Sequence, residues 1–528
     1  MSMKQTPSPS GSPRRGVATL VVLLLIAVAM AVSYAAMRSQ GTAVRIQQNA
    51  SLHALARQAA ATGMAVAIKR MHTADWEGVD TALTGSLDAH QGYRVTFETG
   101  DPSLALGDDD YDDWPYRVTL LSTGTAADPE EPSRTATHRI RAVLRLVPRS
   151  LSTEPGAWEE MVTHAMYQWT GGLFQVNVPA RIEGAVRIQR KLELARDYLW
   201  PDEARKQYCA DLNKMRRAAS GSDASALGDC RPFTGTLLLP YKDEYWWWQE
   251  WGLIDFLNVK MEVPTDHRAP ATPAGWSHPG ELTSYRLYPG GKSYSVPAIP
   301  RDLVNVKLAP DPISNPLGVF YRNGEVSLCD DVEVHGTLIT ALGGDLLVQG
   351  RDVRARPVDL PPLQGKTEPV RLPTLIVGDD LRFQAGSESQ LRGVLAAWDD
   401  FEIEEAPQDD ISANVEGTVI AKNVLVRGRS DWFKTDSWWK DQYDDFKDQW
   451  DDDDAAPIPH FPLWLRENHG LNPVPQTVLK PASATARYHW KNWNDPLYIP
   501  DHERGDVGLR WDLLEWTDSP QKPPQDQE

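Results

Sequence analysis

The sequence predicts an α+β protein: a long N-terminal transmembrane and amphipathic helix, a small antiparallel sheet, then a mainly β ectodomain built as a right-handed parallel β-helix with a large insertion. Three observations predict it. An uncharged stretch from Val17 to Met37 runs on without proline into an amphipathic segment. Runs of period two recur between residues 92 and 147, and an apolar-x-Gly-x-apolar unit returns several times after residue 180. The length of 528 residues is enough for roughly three to four domains. With 54 Lys and Arg against 73 Asp and Glu, the formal charge of −19 excludes non-specific nucleic-acid binding, which needs cations to displace counterions from phosphates. Apolar residues at 41% exclude wholesale disorder, and three Cys exclude a disulfide-built scaffold. Twenty Trp is an excess that the fold has to explain.

Residues 1–16 form a leader carrying Lys4, Arg14 and Arg15 and no acid. The helix is expected over 17–76. Its membrane-anchoring side chains are Val17, Leu20, Leu23, Leu24, Leu25, Ile26, Met30 and Tyr34, in a run of 21 residues that spans a hydrocarbon core of about 30 Å. The run holds neither Gly nor Pro, so every backbone group can be satisfied within the helix, as lipid requires. A basic leader predicts a cytoplasmic N-terminus, a single pass and an exported remainder. The competing expectation is a secretory signal cleaved near Ser33-Tyr34-Ala35. Beyond the span, Leu52, Leu55, Ala56, Ala59, Gly63, Val66 and Ala67 recur at three- and four-residue steps and define one apolar helix face. The simplest structure is one helix of about fifty residues, about 80 Å long.

The start Arg15-Gly16-Val17-Ala18, the apolar half-helix, and the amphipathic half with Asn49 and Gln58-Ala59-Ala60 resemble a type IV pilin-class N-terminus. The resemblance is to PilX-like minor pilins and to the tip pseudopilin of type II secretion systems, and it covers about residues 10–75. It implies processing between Gly16 and Val17 by a prepilin peptidase, an inner-membrane anchor, a periplasmic or cell-surface ectodomain, and other pilin-like or pseudopilin subunits as partners. Major pilins carry Glu at the fifth mature position. Here Val21 stands there, which in that family suits a minor or tip subunit rather than a repeating one.

Residues 77–150 read as a small antiparallel sheet, with period two in Tyr93–Phe97, Tyr116–Leu120 and His138–Leu144. The Ser39–Met71 half-helix is its nearest cover. The Gly-centred unit follows as Ile182–Val186, Val334–Leu338, Leu391–Leu395 and Val415–Val419, assigning 151–195 and 318–430 to β-helix repeats. Gly is expected at the sharp corners, where a positive φ costs it nothing. The stretch Gly324–Leu328, Val334–Leu338 and Leu346–Gly350 resembles bactofilin-like β-helix domains. A β-sandwich, whose short strands also recur closely, is the alternative architecture. Residues 196–317 are an insertion with a helix over Asp202–Arg217, 431–454 an aromatic and acidic helix followed by an Asp run, and 455–528 a Pro/Trp-rich wrap without a repeating element.

Paired acids precede strands at Asp330-Asp331, Asp379-Asp380 and Asp399-Asp400. Stacked on a β-helix they suit Ca²⁺, or the acid and base of a polysaccharide hydrolase; as turn residues they cap backbone amides. Trp246, Trp247, Trp248 and Trp251 offer faces to sugar rings or to a partner, or pack the insertion inward. Trp439, Tyr443, Phe446 and Trp450 step by four, three and four along a helix. Cys209 and Cys230 can form a disulfide in an exported protein, leaving Cys329 over. No metalloprotease, nucleophile-elbow or phosphate-loop motif occurs, so no enzyme is expected and Ca²⁺ is the one candidate cofactor. The function expected is that of a membrane-anchored pilin-like assembly protein. A carbohydrate-active or carbohydrate-binding envelope protein and a stand-alone surface adhesin are the alternatives.

Overall fold

The computed structural model describes residues 14–73, 76–148, 161–176, 180–189, 192–194, 236–238, 260–262, 276–406, 411–429, 438, 441–442, 444–446, 448, 468–469, 477–482, 487–488, 490, 493–498 and 509–519. Helix α1 runs unbroken over Arg14–Met71, 58 residues and about 87 Å at 1.5 Å per residue. No proline interrupts it. Its first half stands free, and its second half lies on an antiparallel sheet of β1 (Ala82–Ser86), β2 (Gln91–Thr99), β3 (Arg117–Ala127) and β4 (Thr135–Pro148).

The buried helix face is Leu52, Ala56, Ala59, Ala60, Met64, Ala67 and Met71, joined by Gly63. Leu55 is half-buried and Val66 is 37% exposed, so the face turns slightly away from the one the apolar spacing predicts. Small residues dominate because the backbones nearly touch. A Cβ at Gly124 of β3 would lie 2.1 Å from the Ala56 carbonyl oxygen, and Ser122 Oγ donates to the Ala60 carbonyl at 2.7 Å.

The sheet has a fifth strand. Leu509–Ser519, in the segment read as a Pro/Trp-rich wrap without a repeating element, pairs antiparallel with β4, Trp511 opposite Leu146 and Asp518 opposite Ile140. Its alternation is interrupted by a register shift between Leu513 and Glu515, which hides the period-two signal.

The remaining strands are mainly parallel and lie in large sheets, where a sandwich would pair them antiparallel. Successive windings pass through three parallel ladders, two within a 14-stranded sheet and one forming an 8-stranded sheet, and one inward side chain per strand stacks on its counterpart in the next winding. One such column is Val326, Leu346, Leu381, Phe401, Val424 and Phe174; another is Val334, Ala355, Leu391, Val415, Leu479 and Ile182. All are buried, at about 1.5–3 kcal/mol for each large aliphatic or Phe side chain. The Gly-centred units do lie above one another. Gly393 faces Gly417, and a Cβ on Gly417 would sit 1.7 Å from the Gly393 carbonyl oxygen. Gly393 has φ +100°, whereas Gly417 has no positive φ and is required for space alone.

Stacking order departs from chain order. The first winding begins at Asp302-Leu303, inside the segment read as insertion, and windings follow in sequence to Asn423–Arg429. The next is composite: Thr477–Lys480 pairs with the first half of Ser412–Ala421, and Met166–Gln168 with the second half. Strands at 174–176, 180–182 and 186–187 then continue outward, followed by Leu192–Leu194, Thr236–Leu238 and Lys260–Glu262. The Gly184 unit therefore lies beyond the Gly417 unit, not before that of Gly336.

One ladder of the 14-stranded sheet is buried on both faces. Leu338, Leu375, Leu395 and Val419 point inward, while Ile339, Ile376, Ala396 and Ile420 point out into a second core shared with α1 and the small sheet. That second core holds much of the tryptophan. Trp76 stacks on Tyr288 at 6.1 Å with Trp511 edge-on to both, and Trp276 stacks on Trp398 at 5.0 Å.

Candidate functional site

The free half of α1 is the most unusual surface of the molecule. Leu20, Leu23, Leu24, Leu25, Ile26, Met30 and Tyr34 are between 48% and 69% exposed, and Val21 is equally open. Gly16 and Val17 lie within the helix, with side chains outside the described residues. Apolar residues occupy every side of this segment, so no single partner face in the same chain could cover it. Moving those seven side chains out of water is favourable by on the order of 10 kcal/mol. This is the one helix among the described residues long and apolar enough to cross a membrane, as a single-pass anchor or a signal.

Where α1 leaves the sheet it is braced. Arg134, from the turn before β4, donates to Asn49 Oδ1 (3.1 Å from Nε), to Gln48 Oε1 (2.9 Å) and to the Arg45 carbonyl (3.1 Å). Further along, Asp518 of the C-terminal strand pairs with Arg57 of α1 and with His138 of β4. Burial raises the Asp518 carboxyl, but the bonds from His138 and Arg57 outweigh it and hold its pKa below the ordinary value. The chain's last described strand is thus tied to its first helix. Asn49 was legible as part of the pilin-class pattern; Arg134 and Asp518 carried no sequence signal for these contacts, because the α1 and β4 groups they meet are 85 and more residues away.

A second arrangement gathers carboxylates at one corner of the windings. Asp379-Asp380 and Asp399-Asp400 fall on adjacent turns and are joined by Asp345. Oxygens of Asp345, Asp379 and Asp380 lie within 4.8 Å of one another, as do those of Asp380, Asp399 and Asp400. These are the carboxylates among the described residues that could hold a divalent cation. They also have protein partners. Asp380 accepts from the Asp400 amide at 2.9 Å and pairs with Arg382; Lys422 Nζ reaches Asp399 at 2.8 Å; Asn423 Nδ2 donates to Asp399 at 2.9 Å and to Asp400 at 2.5 Å. Burial, then the neighbouring Asp380, Asp345 and Asp399, pushes the Asp379 carboxyl up. Burial likewise raises Asp400 against the Asn423 bond. The column is therefore a corner ladder in which Asp345 and Asp380 each accept from a backbone amide on the next turn, while Asp399 and Asp400 bond the side chains of Lys422 and Asn423. Asp345 was missed, although it stands before Leu346–Val348 as the pairs stand before their strands.

Asp330-Asp331 lies at a different corner and joins neither group. Asp330 Oδ1 accepts from the Arg351 amide at 2.8 Å, and Asp331 takes a left-handed φ of +55°. Cys209, Cys230, Trp246, Trp247, Trp248, Trp251 and the helix expected over 202–217 lie outside the described residues. Cys329 is a free, half-buried thiol whose pKa burial raises. Of the aromatic stripe in 431–454, Phe446 alone is described, and it is buried.

No family model and no curated protein matches the sequence. Among solved structures, the competence-associated pilin ComZ from Thermus thermophilus aligns over 89% of this chain and 98% of its own at 9% identity, with a TM-score of 0.25. Similarity at that level fixes neither fold nor function.

Proposed function

We propose that the protein is a membrane-anchored, pilin-like assembly subunit whose parallel β-helix ectodomain is presented outside the inner membrane. The observation that carries this is the division of α1. One unbroken helix is apolar and uncovered over its first half, and over its second half is the packing element of an antiparallel sheet. Such a rod transmits position rigidly from the bilayer to the ectodomain, since no Pro or loop breaks it between Arg14 and Met71. The bilayer satisfies the exposed leucines before assembly, and the apolar segments of other helices satisfy them after it. Val21 stands where major pilins carry Glu, in keeping with a minor or tip position.

N-terminal sequencing of the membrane fraction tests the reading. A mature start at Val17, together with co-purification of pilin-class proteins that is lost when residues 1–37 are deleted, is the expected result. A product beginning at Met1 argues against processing at Gly16, and one beginning after Ala35 removes the anchor and with it the proposal.

A further inference from the structure

A cleft of about 480 Å³ lies between the 3₁₀ turn Tyr111–Tyr116 and the flank of the windings. Strand register supplies its charged floor. His335 pairs with Arg356, and Ala355 with Leu391, which sets Arg356 beside Arg392 on the next winding. Arg392 in turn faces Glu416. Strands in a ladder are about 4.8 Å apart, and like charges side by side at that spacing repel. Each of these two guanidiniums has one acid in a loose ion pair, Glu333 at 3.7 Å from Arg356 and Glu416 at 3.5 Å from Arg392, and with both Arg side chains more than half exposed such pairs contribute at most about 1 kcal/mol. A third guanidinium in the cleft, Arg371, is held by Asp359, which is thereby committed. In a chain of net charge −19, the cleft sets three guanidiniums, Arg356, Arg371 and Arg392, against three carboxylates, Asp112, Asp359 and Glu416.

The walls are flat and apolar. Pro115, Pro310, Pro312 and Pro357 line them with the rings of Tyr116 and Tyr488. Proline offers no N–H, so these wall positions give an extended peptide no donors for its carbonyls. Asp112 and Glu416 add carboxylate oxygens that accept from hydroxyls. Paired guanidiniums for a carboxylate, acceptors for hydroxyls and flat apolar walls for a ring belong together in one ligand class.

We propose that this cleft binds a short acidic saccharide, a uronate disaccharide in size, with its carboxylate on Arg356 and Arg392, its hydroxyls donating to Asp112 and Glu416, and a sugar ring against the proline and tyrosine wall. The site is independent of the anchoring helix. It gives the ectodomain a ligand without requiring any chemistry, and it draws on neither the acid ladder nor the Trp246–Trp248 segment.

Calorimetric titration of the detergent-solubilised full-length protein with digalacturonate tests it. Saturable binding that weakens with added salt is expected, with at least tenfold lower affinity in the Arg356→Gln/Arg392→Gln double variant. Both side chains are more than half exposed, so the variant should keep the parent melting temperature. Arg354→Gln, on the same strand but outside the cleft, should bind as the parent does. The proposal is overturned by no binding of digalacturonate, by binding that the double variant leaves unchanged, by equal affinity for the methyl ester, or by tighter binding of a pentaglutamate peptide.

Discussion

Replacing Leu479 by Ala tests the composite winding directly. Leu479 is fully buried between Val415, from the winding before it, and Ile182, which lies almost 300 residues earlier in the chain. Truncating a buried Leu costs about 2–5 kcal/mol, as lost transfer free energy plus the cavity left behind. At about 3 kcal/mol the open population of this region rises about a hundredfold, since each 1.4 kcal/mol is a factor of ten. The strand Thr477–Lys480 is only four residues long, so little else holds it. The Glu183 amide donates to the Leu479 carbonyl at 2.7 Å, and the Val419 amide to the Ala165 carbonyl at 3.0 Å. Hydrogen exchange followed by peptide mass spectrometry should therefore show protection lost together at 180–188 and 412–421, while 326–348 exchanges as in the parent. Unchanged exchange at 180–188 would refute the stacking order, because those residues would then owe nothing to Leu479.

Three further outcomes are expected. Gly124→Ala forces its new Cβ against the Ala56 carbonyl and the Ala60 amide, 2.1 and 2.3 Å away; overpacking of this kind costs about 1–3 kcal/mol and should lower the thermal midpoint of the sheet. Asp101→Ala removes one of the three carboxylates around the buried Arg117, which keeps Asp110 and Asp113, and leaves Arg141 with Glu515 alone, costing about 1–3 kcal/mol in urea denaturation at pH 7. That loss should shrink in acid: the Asp101 carboxyl is raised by burial but held low overall by Ser103, Arg141 and Arg117, so its contribution is present above the unfolded-state pKa and is lost as pH falls through the folded one. Asp379→Asn should behave oppositely. The Asp379 pKa is raised, so the folded state favours its protonated form and loses stability as pH rises; the Asn variant should melt higher than the parent at pH 7 and no higher below pH 4. Equal melting gains at both pH values would sink the crowded-carboxylate account of that corner.

By itself the sequence determined everything that depends on neighbours a few residues apart. The uncharged run from Val17 to Met37, the three- and four-residue steps from Leu52 to Ala67, and the alternation in β2, β3 and β4 each follow from backbone periodicity, and they specify long helix, sheet and α+β class. The Gly-centred units were legible for the same reason, since a corner that leaves no room for a Cβ marks the sequence wherever it occurs. Tertiary structure alone decided which elements meet. Strand pairing is made by backbone groups common to all residues, so the sequence does not write down that Leu509–Ser519 returns to β4, or that 166–168 and 477–480 share a winding. The burial of Ile339, Ile376 and Ile420 on the outer side of their sheet, and the Trp76–Tyr288–Trp511 cluster beside it, likewise depend on a surface that exists only once the small sheet has docked there. Arg356 and Arg392 belong to the same class: 36 residues apart in the chain, they become neighbours because inward-facing apolar side chains fix the register that aligns them.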